Sequence, residues 1–468
     1  MNTLPPDPDP VPVTPPTASH RVIAAFERIT EAGRPEIWTT LRAVEDVLVD
    51  AKTVDERVKA GEALPLAGTV VAVQDLIDVA GQPSGHGVPE TSAPVVARLT
   101  AAGAIVLGKT GAAMVSGTWD RTKAGGNGAA VAVALGIVDL ALSTGGAVPA
   151  ALNAVAAVQP TRGLLPGSDG VSVYSNGLLP AHRALSVMTG GDRSWPADVR
   201  LGAGEHPRLA YPADLPLGEA AALALETTVA RLTASGAVLT PISAREPAFD
   251  GFDAFVVPTV PEHPGIAEAL ADPAGVGHRL ASCTAFANLL DVAAVSVPVL
   301  PGDRRPFGVT FLTRAFEDQI ALDLATVCTD EPMTPYPEPG EDVVVFGAHL
   351  RGQPLNAELT GLGARFGGPV RTIGGYRMVL LATEPPQPGV VPGGGGRGGG
   401  PGGGAPAAFE RFAAPLKEPF VLDRVELDDG TAPLAVRCLA AEGPGLDRYE
   451  SWRGYVRFAS TAGSRDPG

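Results

Sequence analysis

The sequence predicts an α/β fold in two domains. Residues 65–185 are rich in glycine, alanine and valine, and their short apolar runs GTVVAV and GAIVLG are typical of buried strands. The proline-rich stretch DEPMTPYPEPGED (330–342) has no apolar period, and a new apolar run, VVVFGAHL, follows it. A chain of 468 residues also suits two or three domains.

The first domain is predicted over residues 19–329, after a disordered proline-rich tail at 1–18. RVIAAFERI has the period of an amphipathic helix, and a second helix is expected over about 35–60. A buried helix is expected at 129–142, and an amphipathic helix at 216–235 with Gly236 as its C-cap. The strand DAFVVPTVP, a helix–strand–strand unit ending near Thr313 and a helix near 316–328 complete the domain.

The second domain is predicted over residues 343–462, with residues 330–342 as the linker. Inside it, residues 389–406 contain almost nothing but glycine and proline. Such a composition offers no side chains to bury, so a flexible loop is expected there.

Charge and composition exclude several function classes. The formal net charge is −16, from 35 basic and 51 acidic residues, and a uniformly acidic protein repels nucleic acid. No apolar run approaches the roughly 20 residues of a membrane span, and the N-terminus does not resemble a signal peptide. The three cysteines form no CxxC, which favours the reducing cytoplasm. No spacing indicates a metal site, and no phosphate-binding glycine motif indicates a cofactor.

Five phrases in register resemble the amidase-signature family. They are PLAGTVVAVQDLIDVAGQPSGHG (65–87), VARLTAAGAIVLGKT (96–110), AAVAVALG (129–136), VPAALNAVAAVQPTRGLLP (148–166) and FANLLDVAAVSVP (286–298). Within the family, IWTTLR and VPAALN resemble the allophanate hydrolase branch. The resemblance implies a mixed sheet flanked by helices, hydrolysis of allophanate to ammonia, and dimers formed through the first domain.

The second domain resembles the C-terminal domain of the same branch. The likeness lies in VVVFGAHLRGQPLNAELTGLGARF (343–366), GGYRMVLL (374–381), PAAFERFAAPLKEPFVLDRVELDDG (406–430) and YESWRGYVRF (449–458). It implies a small α+β domain similar to the γ-glutamyl cyclotransferase fold.

The catalytic residues implied by the resemblance are missing from this sequence. The family uses a nucleophilic serine, a second serine held by a cis peptide bond, and a neutral lysine as base. Gln74 stands where VAVKD has its lysine, Gly125 at the bridging serine and Gly145 at the nucleophile. The loop before Val148 is also about four residues short, so no intact catalytic set is predicted.

Four other residues are candidates for ligand binding. Arg162, in PTRG, is interpreted as an anion contact or as a structural arginine under the sheet. His349, Asn356 and Tyr376 belong to matching phrases of the second domain and are interpreted as a cluster for a small carboxylate or carbamate. The alternative for His349 is a buried histidine satisfied by backbone. Cys283 is expected to pack in a helix, and His182 to lie on the surface or in a loop.

Three functions stay open at this point. The first is an allophanate hydrolase-like pseudoenzyme that binds a small ureido or carboxylate ligand, forms a homodimer, or pairs with an active amidase. The second is an enzyme that acts on a small carboxylate or ureido substrate through the second domain or a remodelled pocket. The third is a relic without function.

Overall fold

The structure is a computed structural model that describes residues 16–85, 87–167, 170–243, 249–288, 290–299, 307–332, 340–393, 397–440, 442–449 and 451–463. Residues 1–15 of the predicted tail and residues 333–339 of the predicted linker lie outside these ranges. None of the described helices has the length and hydrophobicity needed to cross a lipid bilayer.

The first domain is built on one mixed sheet with helices on both faces. Its helices are α1 (Ala18–Ala32), α2 (Val44–Lys59), α3 (Pro94–Ala101), α4 (Gly128–Ala134), α5 (Val148–Ala151), α6 (Leu178–Met188), α7 (Glu219–Ala234), α8 (Ile266–Ala271), α9 (Pro273–Ala281) and α10 (Asp318–Thr329). Its strands are β1 (Trp38–Leu41), β2 (Val70–Gln74), β3 (Ile105–Thr110), β4 (Leu140–Ser143), β5 (Ala156–Gln159), β6 (Ser172–Ser175), β7 (Arg208–Pro212), β8 (Val238–Ile242), β9 (Ala254–Pro258), β10 (Val292–Val299) and β11 (Phe307–Arg314).

The eleven strands follow the order β1-β3-β2-β4-β6-β5-β10-β11-β9-β7-β8. Strand β2 pairs in parallel with β3 and β4, whereas β4 pairs with β6 and β10 with β11 in antiparallel fashion. The alternation of side chains along β2 sends Val71 and Val73 into the core on one face and Val70 and Ala72 into the core on the other. The predicted mixed α/β sheet flanked by helices is therefore confirmed.

Two helix predictions in this domain were wrong. Residues 35–60 begin with a 3₁₀ turn (Pro35–Ile37) and with β1 before α2 starts. Residues 129–142 divide into α4, a turn with Gly136 at φ +65°, and β4. In both cases part of the apolar run forms a strand that pairs with a neighbouring strand. The periodicity of the sequence alone does not reveal that such a partner is present. Helix α1 also begins at Ala18, inside the predicted tail.

The second domain is smaller. Its helices are α11 (Asn356–Thr360), α12 (Pro406–Ala413) and α13 (Trp452–Gly463), and its strands are β12 (Glu341–Val345), β13 (Arg365–Phe366), β14 (Val370–Arg371), β15 (Tyr376–Leu381), β16 (Gln387–Pro392), β17 (Gly398–Gly404), β18 (Phe420–Arg424) and β19 (Leu434–Cys438). The main sheet has the order β13-β17-β12-β19-β18, with β14 also on β17, and β15 pairs with β16. Because β12 begins at Glu341, the linker ends before residue 342, where the sequence placed its end.

The prediction of a flexible loop over residues 389–406 was wrong for residues 389–393 and 397–406, while residues 394–396 lie outside the described ranges. Within that tract β16 runs to Pro392, and the glycine-rich strand β17 (GGGPGGG) pairs with β12, β13 and β14. Sheet hydrogen bonds come from backbone groups, which glycine keeps in full. Neighbours supply the missing apolar surface, since the buried Phe346 ring lies where a side chain on Gly399 would stand.

Candidate functional sites

The first candidate site is a cavity of about 250 Å³ at the ends of β2 and β4. Gln74, the last residue of β2, lines it together with Gly145 in the turn after β4. Gly125 does not line the cavity, although the next residue, Gly126, does. The structure thus brings two of the three predicted catalytic positions to one pocket.

Gln74 is held by the turn that follows β4. Its Oε1 accepts hydrogen bonds from the backbone N–H of Thr144 (2.5 Å), the Thr144 hydroxyl (2.9 Å) and the Ser143 hydroxyl (3.2 Å). A backbone N–H can only donate, so the atom facing Thr144 must be the amide oxygen. The amide group of Gln74 is buried and its orientation is fixed.

Ser143 continues this chain of hydrogen bonds toward α4. Its Oγ accepts from Asn127 Nδ2 (2.9 Å) and from the backbone N–H of Gly145 (3.0 Å), while it donates to Gln74. Asn127 is the N-cap of α4, because its Oδ1 accepts from the backbone N–H of Ala130 at 3.1 Å. Every hydrogen-bonding capacity of the Ser143 hydroxyl is used, and none of its partners is a base.

The cavity is electrically neutral over its described lining. Polar groups come from amides and hydroxyls, and none of the described lining residues is charged at neutral pH. The lining comprises Gln74, Ala112, Met114, Gly126, Asn127, Gly145, Gly146, Ala147, Val148, Pro149, Gln159, Gly277, Leu280, Ala281, Thr284, Ala287, Ala294 and Thr310. Beneath it Tyr174 donates a 2.7 Å hydrogen bond to the Gly146 carbonyl, and burial raises the pKa of that phenol.

Both predicted serine positions are sterically tight. A Cβ atom on Gly125 would lie 2.6 Å from the Cα of Gly117 and 2.7 Å from the carbonyl oxygen of Ser116. A Cβ atom on Gly145 would lie 2.8 Å from Asn127 Nδ2 and 3.1 Å from the Tyr174 hydroxyl. The packing around Gly125 and Gly145 leaves too little space for a serine side chain unless the neighbouring atoms move.

The lysine of the GKT phrase lies apart from this cavity. Lys109 is fully buried, and its Nζ donates to the carbonyls of Asp75 (3.1 Å) and Ile77 (2.6 Å). Burial lowers the pKa of Lys109, opposed by Asp75 and Asp78. Its ammonium group fixes the turn after β2.

Arg162 lies in an exposed turn and lines neither cavity. Its roles as an anion contact and as a structural arginine both stay predictions, and its neighbour Thr161 anchors this turn. The backbone N–H and hydroxyl of Thr161 donate to Asp318 at 2.8 and 2.5 Å. Burial raises the pKa of Asp318 to about 6, against the effect of these bonds. Sequence reasoning missed this pair, whose members are 157 residues apart.

The second candidate site is a cavity of about 460 Å³ between the two domains. His349 and Asn356 line it, and Asn356 Nδ2 donates to the His349 carbonyl at 2.8 Å. The His349 Nε2 lies 2.9 Å from Glu358 Oε2, and the ring stands edge-on to Phe412. The interpretation of a histidine satisfied only by backbone therefore does not describe His349.

Tyr376 does not join this cluster. It is the first residue of β15, is partly buried, and packs against the apolar core of the second domain. Its phrase matched the same family pattern as the phrases of His349 and Asn356, yet the fold places it on a separate two-stranded sheet.

The first domain supplies a wall of the interdomain cavity that sequence reasoning missed. Asp323 on α10 accepts two hydrogen bonds from Arg365 of the second domain, at 2.6 and 2.9 Å. Burial raises the pKa of Asp323, against the effect of Arg365. Glu331 also lines the cavity, and its carboxylate accepts from the first backbone N–H groups of α6. These residues carry no shared local pattern, so no sequence signal could have joined them.

His182 and Cys283 both lie in the interior of the first domain. His182 lies inside α6 and is buried, so its placement on the surface was wrong. Burial, with Arg365 and Arg183 nearby, lowers the pKa of His182 to about 4. Cys283 is buried and burial raises its thiol pKa, which confirms that it packs in the interior, but it lies in the turn after α9 and its placement in a helix was wrong. Among the described residues no His, Cys, Asp and Glu side chains are grouped in a way that could hold a metal ion.

Comparison with known proteins supports the sequence resemblance in both domains. Residues 21–118 match the model of the Amidase family, and residues 341–457 match that of the allophanate hydrolase C-terminal domain. The chain is allophanate hydrolase-like: residues 21–118 are similar to amidases, and residues 341–457 to the C-terminal domain of allophanate hydrolases.

Individual relatives agree with the two matches. A urea amidolyase of Lachancea kluyveri is 28% identical over 79% of this allophanate hydrolase-like chain, which covers 28% of the relative's length. A putative amidase, AmiA2, of Mycobacterium tuberculosis is 34% identical over 34% of the chain and 40% of its own length. The allophanate hydrolase of Kluyveromyces lactis has the same fold, with a TM-score of 0.73 at 22% identity over 95% of this chain and 97% of that one. The chain thus spans less than a third of the urea amidolyase that it matches.

Proposed function

We propose that this allophanate hydrolase-like protein is a pseudoenzyme that binds a small ureido ligand in the first cavity and does not hydrolyse it. The single observation that carries the proposal is the hydrogen-bond chain of Gln74, Ser143 and Asn127 at the place where amide chemistry would occur. A chain built from two amides and one hydroxyl binds polar groups but supplies no proton acceptor.

Amide hydrolysis requires an activated nucleophile and a base within hydrogen-bond reach. Ser143 and Thr144 are the hydroxyls nearest to Gln74, and both donate to its amide oxygen. An amide oxygen has no useful basicity near neutral pH, so neither hydroxyl can be deprotonated by this partner. The ammonium group of Lys109 is bonded to two backbone carbonyls and does not reach them.

The purified protein is expected to release no ammonia from allophanate, urea or simple amides. The reason is the combination of Gln74, Gly125 and Gly145, which leaves neither base nor serine nucleophile at the predicted positions. The measurement is ammonia release against a buffer blank, with Gln74→Ala as the matched variant. Turnover above the blank that survives in Gln74→Ala would show that the reacting site lies elsewhere.

A pairing with an active amidase is an alternative mode of action for the same scaffold. It would use the retained fold as a binding surface, and co-purification with a complete amidase would support it. Homodimer formation is part of this proposal as well.

A second candidate function is an activity on a small carboxylate or ureido substrate in the interdomain cavity. The observation that favours it is the pairing of His349 with Glu358 beside Asn356 at a cavity of about 460 Å³. Arg351 also lines this cavity and supplies a cation.

His349→Gln is expected to abolish any consumption of such substrates, because glutamine cannot exchange a proton at neutral pH. The measurement is substrate depletion across a panel of small carboxylates and ureido acids. His20→Gln, an exposed histidine at the start of α1, is the matched control. No depletion with the unaltered protein, or equal depletion with His349→Gln, rules this function out.

A further inference from the structure

We infer that the first cavity selects neutral, carbonyl-bearing ligands with a small apolar substituent, and that Gln74 is its specificity-determining residue. This inference rests on the proposed function of that cavity as a binding site without hydrolysis. It replaces the broader expectation of a ureido or carboxylate ligand with one chemical class for this pocket.

The orientation of Gln74 defines what the cavity offers. Its oxygen is engaged by Thr144 and Ser143 on the side of the turn, and the backbone N–H of Thr144 excludes the flipped amide. No described residue accepts a hydrogen bond from Gln74 Nε2, and the side chain lines the cavity. The free end of Gln74 is therefore a pair of N–H donors directed at the ligand, which suits a carbonyl oxygen.

The electrostatics of the pocket exclude anions. A carboxylate that leaves water needs a cation or several hydrogen bonds to offset the lost hydration. The described lining supplies no cation, and the buried Lys109 directs its charge at two backbone carbonyls instead. The two N–H donors of the single Gln74 amide do not replace the hydration of an ionised ligand, whereas they are well matched to the lone pairs of a neutral carbonyl oxygen.

The remaining walls define the rest of the ligand. No described residue hydrogen bonds to the side chains of Gln159 or Thr284, and both line the cavity, so they can accept N–H groups from a urea or primary amide. Met114, Leu280 and Ala287 form an apolar wall. A volume of about 250 Å³ exceeds what a single small polar group fills, so a short apolar substituent has room against that wall.

The test compares n-butylurea with pentanoate, which share an apolar chain but differ in charge. Isothermal titration calorimetry at pH 7 is expected to show binding of n-butylurea and no binding of pentanoate. Gln74→Glu keeps the shape and the acceptor for Thr144 but replaces the ligand-facing N–H donors with oxygen. It should weaken n-butylurea binding by ~10-fold or more.

Two further variants make the test decisive. Gln353→Glu is the matched control, because Gln353 lies in the second domain and uses its Oε1 to accept from Trp452, a role that glutamate retains. Thr284→Val removes an acceptor from the cavity lining without touching the Gln74 bonds and should also weaken n-butylurea binding, so the inference stays testable if Gln74→Glu does not fold.

The outcomes separate this inference from the proposed function. Pentanoate binding as tight as n-butylurea binding, no binding of n-butylurea at all, or unchanged affinity in both Gln74→Glu and Thr284→Val overturns the inference. Release of ammonia from n-butylurea overturns the proposed absence of hydrolysis instead. In that case the selectivity is decided by comparing the KM values of the same ligands in the same variants.

Discussion

The triple variant Gln74→Lys, Gly125→Ser, Gly145→Ser is expected to release no detectable ammonia from allophanate. It restores the side chains that the family resemblance implies, yet the surrounding backbone does not accept them. A serine nucleophile must stand about 3 Å from its proton acceptor, and a misplacement near 1 Å already costs about 100-fold in rate.

The backbone around Gly125 is the first obstacle. Its Cβ would lie 2.6 Å from the Cα of Gly117, so the strand-like segment at Ser116 and Gly117 must move before a serine fits. That segment is held in place, because the backbone N–H of Gly125 donates to the Val115 carbonyl at 2.8 Å.

The turn at Gly145 is the second obstacle. A serine there would press on Asn127 Nδ2 and on the Tyr174 hydroxyl, which both hold this turn. A lysine at position 74 would also remove the oxygen that accepts from Thr144, leaving that backbone N–H without its partner.

The measurement is ammonia release from allophanate by the triple variant and by a second protein that also lengthens the loop before Val148 by about four residues. The longer loop is expected to do better, because it relieves the turn at Gly145. Turnover by the triple variant without the longer loop would contradict the steric argument. It would mean that the three side chains by themselves are sufficient for hydrolysis. Circular dichroism of both proteins shows whether they remain folded.

Gly399→Val is expected to destabilise the second domain by about 1–3 kcal/mol or more, the usual cost of overpacking a core. A Cβ atom at this position would lie 2.7 Å from the Phe346 ring and 3.1 Å from Val344 on the paired strand β12. Both neighbours are buried in the core of the second domain. The measurement is the free energy of unfolding in urea.

Gly402→Val is the matched control on the same strand. Its Cβ would meet only Leu359 at 3.9 Å and the Arg365 carbonyl at 4.0 Å, which are ordinary contacts. Since valine also has a higher strand propensity than glycine, this variant should be as stable as the parent or more so. Equal stability of the two variants would mean that β17 does not pack against Phe346.

The glycine-rich strand shows where sequence reasoning fails. Composition predicted a flexible loop because glycine has no side chain to bury, but pairing with β12 and β13 supplies the backbone hydrogen bonds, and Phe346 fills the space. Both contributions come from segments distant in the chain. The sequence of residues 389–406 taken alone therefore predicts neither the strand pairing nor the packing of Phe346.

At the first cavity, the sequence predicted the residue at position 74 and the strands around it, but not the contacts of its side chain. Gln74 was identified from its phrase alone, and the buried apolar runs around it predicted β2 and β3 correctly. The direction of its amide was not predictable, because it depends on Thr144 and Ser143 across the sheet. The steric tightness at Gly125 likewise depends on Gly117, which approaches only in the folded chain.

The sequence by itself determined the α/β class, the two-domain organisation and the neutral Gln74 where the family resemblance implies a lysine, because each is carried by local pattern or by a phrase in register. The tertiary structure alone decided which polar groups meet. It joined Asp323 to Arg365 between the domains, gathered His349 and Asn356 at one cavity, and left Tyr376 outside it. Such contacts follow from the packing of distant elements, and the spacing of residues along one chain does not contain that information.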